Sequence, residues 1–187
     1  MIATPRELTV FTRQDFESLP EDGRWEVANG CAVLVAPPKA WHQKISDRLV
    51  IALDPQLPAG RGFLYSAVSV FLPVPAGVHS EIQSRVPDLS ISTFEIDDHY
   101  DRNDPPEWVI EILSTRRGNV ERTEKMDDYA SAGIQEYWVV NSIDREVEVY
   151  ALSAGDYTLV QRAINPQSIT FPGVAVDMTQ LWPKRLT

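Results

Sequence analysis

Apolar residues recur along this chain with two different periods, and the switches between them mark its elements. Residues 12–19, TRQDFESL, predict a short helix with Thr12 as N-cap and Phe16 and Leu19 facing inward. In RWEVANGCAVLVA two apolar runs flank Asn29-Gly30, a strong hairpin signal, so strands are expected at about 24–28 and 31–36, ended by Pro37 and Pro38. Residues 41–53, WHQKISDRLVIAL, place Ile45, Leu49, Ala52 and Leu53 on one face of an amphipathic helix that Pro55 and Pro58 stop. GFLYSAVSVFLP reads as one strand over 62–73, with its β-forming stretch Ala67 to Leu72 central in a sheet. PVPAGVHSEIQ reads as a loop, RVPDLSIS as a strand, and EIDDHYDRNDPP as a mobile polar loop. The strand EWVIEILS follows. Asn119 is placed to cap a helix from Val120 to about Ala132, closed by Gly133, with Met126, Tyr129, Ala130 and Gly133 on its inner face. EYWVVN and REVEVYAL, joined through SID, predict a hairpin. DYTLVQRAI adds a strand after Ala154-Gly155, and a short turn is expected near Met178–Trp182.

A strand–helix–strand passage from EWVIEIL to EYWVVN needs a crossover, so that pair is expected to be parallel. The hairpins make the remaining pairs antiparallel. The pattern is α+β (α/β): a mixed sheet flanked by helices.

Composition adds bounds. At 187 residues and 21.1 kDa, a single domain over 1–187 is the expectation, with a core of useful size. No apolar run approaches the roughly 18 residues that cross a bilayer, so no membrane partner is expected, and the N-terminus lacks the pattern of a signal peptide. Cys31 is the one cysteine, so no internal disulfide can form, and the cytoplasm is the natural compartment. Cys31 itself reads as a small core residue of the hairpin rather than a nucleophile. The net charge of −10 argues against a broad nucleic-acid-binding surface. A local exception runs from Ser114 to Lys125, where Arg116, Arg117, Arg122 and Lys125 outnumber Glu121 and Glu124.

Two acidic residues sit where apolar ones would be cheaper. In RVPDLSIS, Asp88 shares a face with Val86 and Ser90, while Leu89 and Ile91 take the other. In EWVIEILS, Glu111 shares a face with Val109 and Leu113, opposite Trp108, Ile110 and Ile112. A buried carboxylate needs a basic partner, a proton or a cation. If the two converge, Mg²⁺ is the simplest compensation, because it takes oxygen ligands and commonly joins carboxylates to a phosphate. Lys125, beside the Met126–Tyr129 stripe, can turn its amine toward the sheet. Each residue also has a plainer reading. Asp88 after Pro87 can form a turn or cap a neighbouring backbone group, and Glu111 can pair with Arg116, Arg117 or another basic residue. Lys125 stands four residues after Glu121, the spacing of a weak surface ion pair. Glu26 reads as an exposed hairpin charge and His42 as a surface or capping histidine.

The ordered set RWEVANG, PPKAWHQKISDRL, VPDLSI, PPEWVIEILS, DDYASAG, IQEYWVVN and EVEVYAL resembles the Uma2 family of restriction-endonuclease-like proteins, within the PD-(D/E)XK nuclease superfamily, from about Phe16 to Trp182. The resemblance implies an αβββαβ core with an N-terminal hairpin and a C-terminal meander. It places Asp88, Glu111 and Lys125 on the family's catalytic aspartate, glutamate and helical lysine. Glu26 falls on the glutamate of the family's hairpin piece, and His42 and Gln43 on its histidine–glutamine pair. What it implies chemically is an endonuclease hydrolysing DNA phosphodiesters with Mg²⁺, or Mn²⁺ as substitute. Asp88, Glu111 and the carbonyl of Ile112 would ligate the metal, Lys125 would assist hydrolysis, and a homodimer is compatible with cutting both strands. Two departures stand out. The superfamily's lysine two residues after the glutamate is Leu113 here, and the family's serine–proline–serine–threonine run is Ser114-Thr115-Arg116-Arg117. The alternative is a non-catalytic binding module on a degenerate nuclease fold.

Overall fold

The structure is a computed structural model that describes residues 10–21, 23–57, 62–113, 119–171 and 173–183. Helix α1 (Arg13–Glu17) is short and closed at its start by a capping box between Thr12 and Asp15. Strands β1 (Trp25–Ala28) and β2 (Cys31–Leu34) form the expected hairpin. Asn29 and Gly30 both take positive φ, 51° and 76°, the backbone a two-residue type I′ turn demands. Helix α2 (Ala40–Leu53) buries Ile45, Leu49 and Leu53. Then come β3 (Phe63–Ser66), β4 (Val70–Leu72), β5 (Gln83–Arg85), β6 (Leu89–Ser92) and β7 (Trp108–Leu113). Helix α3 (Asn119–Ser131) is followed by β8 (Glu136–Asn141), β9 (Glu146–Ser153), β10 (Asp156–Ile164), β11 (Ser168–Phe171), β12 (Val174–Asp177) and α4 (Met178–Leu181).

The larger sheet has the order β10-β9-β8-β7-β6-β3, and only its β7–β8 pair is parallel, as the crossover through α3 requires. One of its faces packs Leu89, Ile110, Ile112, Trp138 and Val140 against α2, β12 and α4. The other packs Val109, Tyr137 and Val139 against Tyr129 of α3 and Val70 and Leu72 of β4. The alternation expected for β6 and β7 therefore holds: Leu89, Ile91, Ile110 and Ile112 face α2, while Val109 and Leu113 face α3.

The second sheet, β2-β1-β5-β4, corrects two strand expectations. The stretch 62–73 is not one strand. It breaks after Ser66, where Ala67 turns left-handed at φ 56°, and β3 and β4 then join different sheets. RVPDLSIS also divides, because Val86-Pro87-Asp88 steps from β5 in the smaller sheet to β6 in the larger, and Pro87 has no N–H to give to a ladder. The two crossings are tied together by the Ala67 N–H, which donates to the Asp88 carbonyl at 3.2 Å. The supposed loop ending at Gln83 supplies the first residue of β5.

Two further expectations change. Cys31 is exposed rather than a core residue, because β2 is the outer strand of the smaller sheet. The polar excursion around 95–106 is a loop, but Tyr100 pins it: the side chain is fully buried, and its backbone exchanges hydrogen bonds with Ser69 and Phe71 at 2.9 and 3.0 Å. Among the described residues no helix is long and apolar enough to cross a membrane.

Gly30→Ala tests the hairpin. A Cβ there would stand 3.0 Å from the His79 carbonyl oxygen, at a φ that L-residues adopt at a cost. A loss of about 1–2 kcal/mol in urea unfolding is expected.

Candidate active site

The pairing Leu89↔Ile110 continues one step to bring Asp88 level with Glu111 across β6 and β7. Both carboxylates line one cavity of about 330 Å³, with Lys125, His42 and Ile112 also in its wall. Residues 35–39 after the hairpin form another part of that wall, and Arg24, Lys39 and Arg122 add three more basic side chains.

Asp88 sits on the sheet-to-sheet step, where Pro87 stops the ladder. Its Oδ2 accepts the backbone N–H of Ile112 at 2.7 Å and lies 3.1 Å from His42 Nε2. His42 reaches it from the first turn of α2. Burial acts to lower the His42 pKa, but the hydrogen bond and charge of Asp88, with the Ile112 backbone and the Glu111 charge, outweigh it, and the net shift is upward. Histidine is therefore a partner to the aspartate, not the surface or capping group of the plainer reading.

Glu111 is buried among the tyrosines of the α3-facing core. Its Oε1 accepts from Lys125 Nζ at 3.0 Å and from the Tyr129 hydroxyl at 2.7 Å. Burial pushes its pKa up to about 7; Lys125 opposes this, the charges of Asp88 and Glu26 add to it, and the Tyr129 hydrogen bond works against it. Lys125 is buried and lies 3.2 Å from Glu26 Oε1 as well. Lys125 thus stands between two buried carboxylates. Arg116, Arg117 and the loop Ser114-Thr115-Arg116-Arg117 lie outside the described residues, as do the side chains of Glu121 and Asn119.

Glu26 is not an exposed hairpin charge. It is buried, and its Oε1 also accepts the Val86 N–H at 3.1 Å while Oε2 meets Arg85 Nη1 at 3.1 Å. Gln43 is placed elsewhere: it is exposed on α2, and its amide bonds Asp47 at 3.2 Å. Three neighbours were not singled out from the sequence as site residues. Tyr129 was assigned only to the helix's inner face, while Arg85 and Asp128 sit in polar stretches whose burial has no sequence period. Their one signal is the cluster of charges flanking an otherwise apolar helix face.

The donor set suits a hard divalent cation. The described hydrogen bonds engage Asp88 through Oδ2 and Glu111 through Oε1, so Oδ1 and Oε2 are the atoms to offer it. Among the described residues no three His, Cys, Asp or Glu side chains form a ready-made cage.

A mixed sheet flanked by helices, with its one parallel pair joined through α3, is a restriction-endonuclease-like fold. The model of the Uma2 family, described as "Putative restriction endonuclease", matches residues 13–179, and this chain belongs to that family. Among solved structures, a crystal structure described as a putative nuclease belonging to DUF820 from Anabaena variabilis ATCC 29413 superposes with a TM-score of 0.69 at 20% identity, covering 90% of this chain and 95% of that one. That likeness shows the fold. A comparison with curated proteins gives no match.

The raised Glu111 pKa has a signed consequence in metal-free protein. The folded state holds the proton more tightly than an unfolded carboxyl near 4.5, so this group's contribution falls as pH rises from about 4.5 to about 7 and is level above that. Tyr129→Phe removes a donor to the charged form. Thermal melts in EDTA should show a loss of about 1–3 kcal/mol at pH 8 and a smaller loss at pH 6.

Proposed function

We propose that this chain is a metal-dependent endonuclease that hydrolyses DNA phosphodiester bonds. The observation that carries the reading is the convergence of Asp88, Glu111 and Lys125, from two strands and a helix, on one cavity. Among the described residues the buried acids Glu26, Glu111, Asp128, Glu136 and Glu146 outnumber the buried cations Arg85 and Lys125. A cation held by Asp88 Oδ1, Glu111 Oε2 and the Ile112 carbonyl would offset that excess, activate water and neutralise charge on the phosphate oxygens. Mg²⁺ is the proposed ion, with Mn²⁺ as substitute.

The chain's own groups do the rest. The Ile112 N–H and His42 both engage Asp88 Oδ2 and so hold the carboxylate in place at the cavity. Lys125 brings positive charge and N–H donors to the place where a water oxygen adds to phosphorus and a P–O ester bond breaks. Glu26 keeps Lys125 at the cavity wall. Arg24 and Lys39 stand in the wall nearest the hairpin, as a local basic rim on a chain whose net charge is −10. They suit backbone phosphates, which a duplex carries on both strands; a homodimer would present two such sites.

The direct Lys125–Glu111 pair also fits a second reading, a binding module in which that lysine satisfies Glu111 in place of a metal. Calorimetry with Mn²⁺ separates the two: heat above buffer that vanishes in Asp88→Ala supports the nuclease, and none in wild type supports the module.

Two outcomes are expected of the nuclease. Asp88→Ala abolishes Mg²⁺- or Mn²⁺-dependent nicking of plasmid DNA; equal cutting by purified wild type and mutant would mark the activity as a contaminant. Arg24→Glu and Lys39→Glu each weaken binding of a labelled oligonucleotide in Ca²⁺, and each lowers the slope of log affinity against log salt by about one.

A further inference from the structure

We propose that Arg85 is a positioning residue: by bridging Glu26 and Asp128 it fixes the carboxylate that holds Lys125 beside Glu111. Its functional consequence rests on the nuclease reading; its geometry does not.

The pairing Val27↔Ser84 continues one step to set Glu26 across from Arg85 on adjoining strands. Arg85 Nη1 reaches Glu26 Oε2 at 3.1 Å, and Nε reaches Asp128 Oδ2 at 2.7 Å. Asp128 stands three residues after Lys125, so the two share one side of α3. Glu26 Oε1 then returns to Lys125 Nζ at 3.2 Å. The contacts close a ring through β1, β5 and α3. Gln83 and the Val86 N–H brace it, at 3.2 Å to Asp128 and 3.1 Å to Glu26. The side chains are dry, 5% exposed for Arg85 and 8% each for Glu26 and Lys125, so charge interactions within the ring are little screened.

The ring is built on an arginine. A planar fork with several donors serves two carboxylates at fixed angles; an ammonium on a flexible stem is a point charge that fixes neither angle. With the fork gone, Glu26 loses its partner on Oε2. Lys125, already within reach, is drawn further onto Glu26 and away from Glu111.

The test is Arg85→Lys, which keeps the charge and removes the fork. In Mn²⁺-dependent plasmid nicking, kcat is expected to fall about 10- to 100-fold with KM changed less than about twofold, since a misplaced group loses rate more than binding. A crystal structure of the variant should show Lys125 Nζ beyond hydrogen-bond distance of Glu111. If Arg85→Lys does not fold, the pair Arg85→Gln with Asp128→Asn removes one cation and one anion together and carries the same two expectations. Unchanged kcat in a folded variant, or a Lys125–Glu111 contact that survives loss of the fork, overturns the proposal. Wild type that never nicks overturns the nuclease reading instead, and the Lys125 position in the variant structure still decides the role of Arg85.

Discussion

Burial of carboxylates that, among the described residues, outnumber the buried cations is the constraint around which this structure is arranged. Glu26, Glu111 and Asp128 lie inside, with Arg85 and Lys125 set among them. An unpaired ion in such surroundings costs several kcal/mol, so each carboxylate takes hydrogen bonds from whatever is near: backbone N–H, a tyrosine, a glutamine, an arginine fork. Glu111 is buried at the cavity, and burial is the main cause of its raised pKa. An apolar core of the same volume would fold with less trouble. The cost is understandable when the acids have work to do at the cavity.

The fold delivers these charges to one place by a single device. The chain crosses between its two sheets twice, after Ser66 and at Val86-Pro87-Asp88, and the crossings are hydrogen-bonded to each other. A strand that steps out of its ladder frees its backbone and re-aims its side chains. Here the step aims Asp88 at the end of β6, against α2 and beside Glu111. Through the Val86 N–H and Arg85, the same step holds Glu26. The smaller sheet is therefore more than a cover: it carries the carboxylate that shares Lys125 with the larger sheet.

Much of this was legible beforehand where local physics decides. The hairpin at Asn29-Gly30, helices α2 and α3, the parallel β7–β8 pair and the two faces of β6 and β7 all follow from side-chain period, turn chemistry and crossover geometry. Membership in the Uma2 family was legible too, from the order of short pieces none of which is specific alone. Less legible were the breaks. The run from Gly62 to Pro73 has the composition of one strand, and nothing local announces that Ala67 turns left-handed. Gln83 and Ser84 have no apolar alternation, so the start of a buried strand at Gln83 looked like loop. Cys31 looked like core because cysteine usually is, yet β2 ends its sheet.

The sequence by itself determined most of the elements, the family and the three residues, Asp88, Glu111 and Lys125, that meet at the cavity, because periodicity and residue type act over a few positions. Only the tertiary structure decided how they are held. Burial of Glu26, the reach of Arg85 across to Asp128, and the His42 contact to Asp88 join residues tens of positions apart. Whether a charge is solvated or dry depends on what the rest of the chain lays over it, and no local pattern contains that.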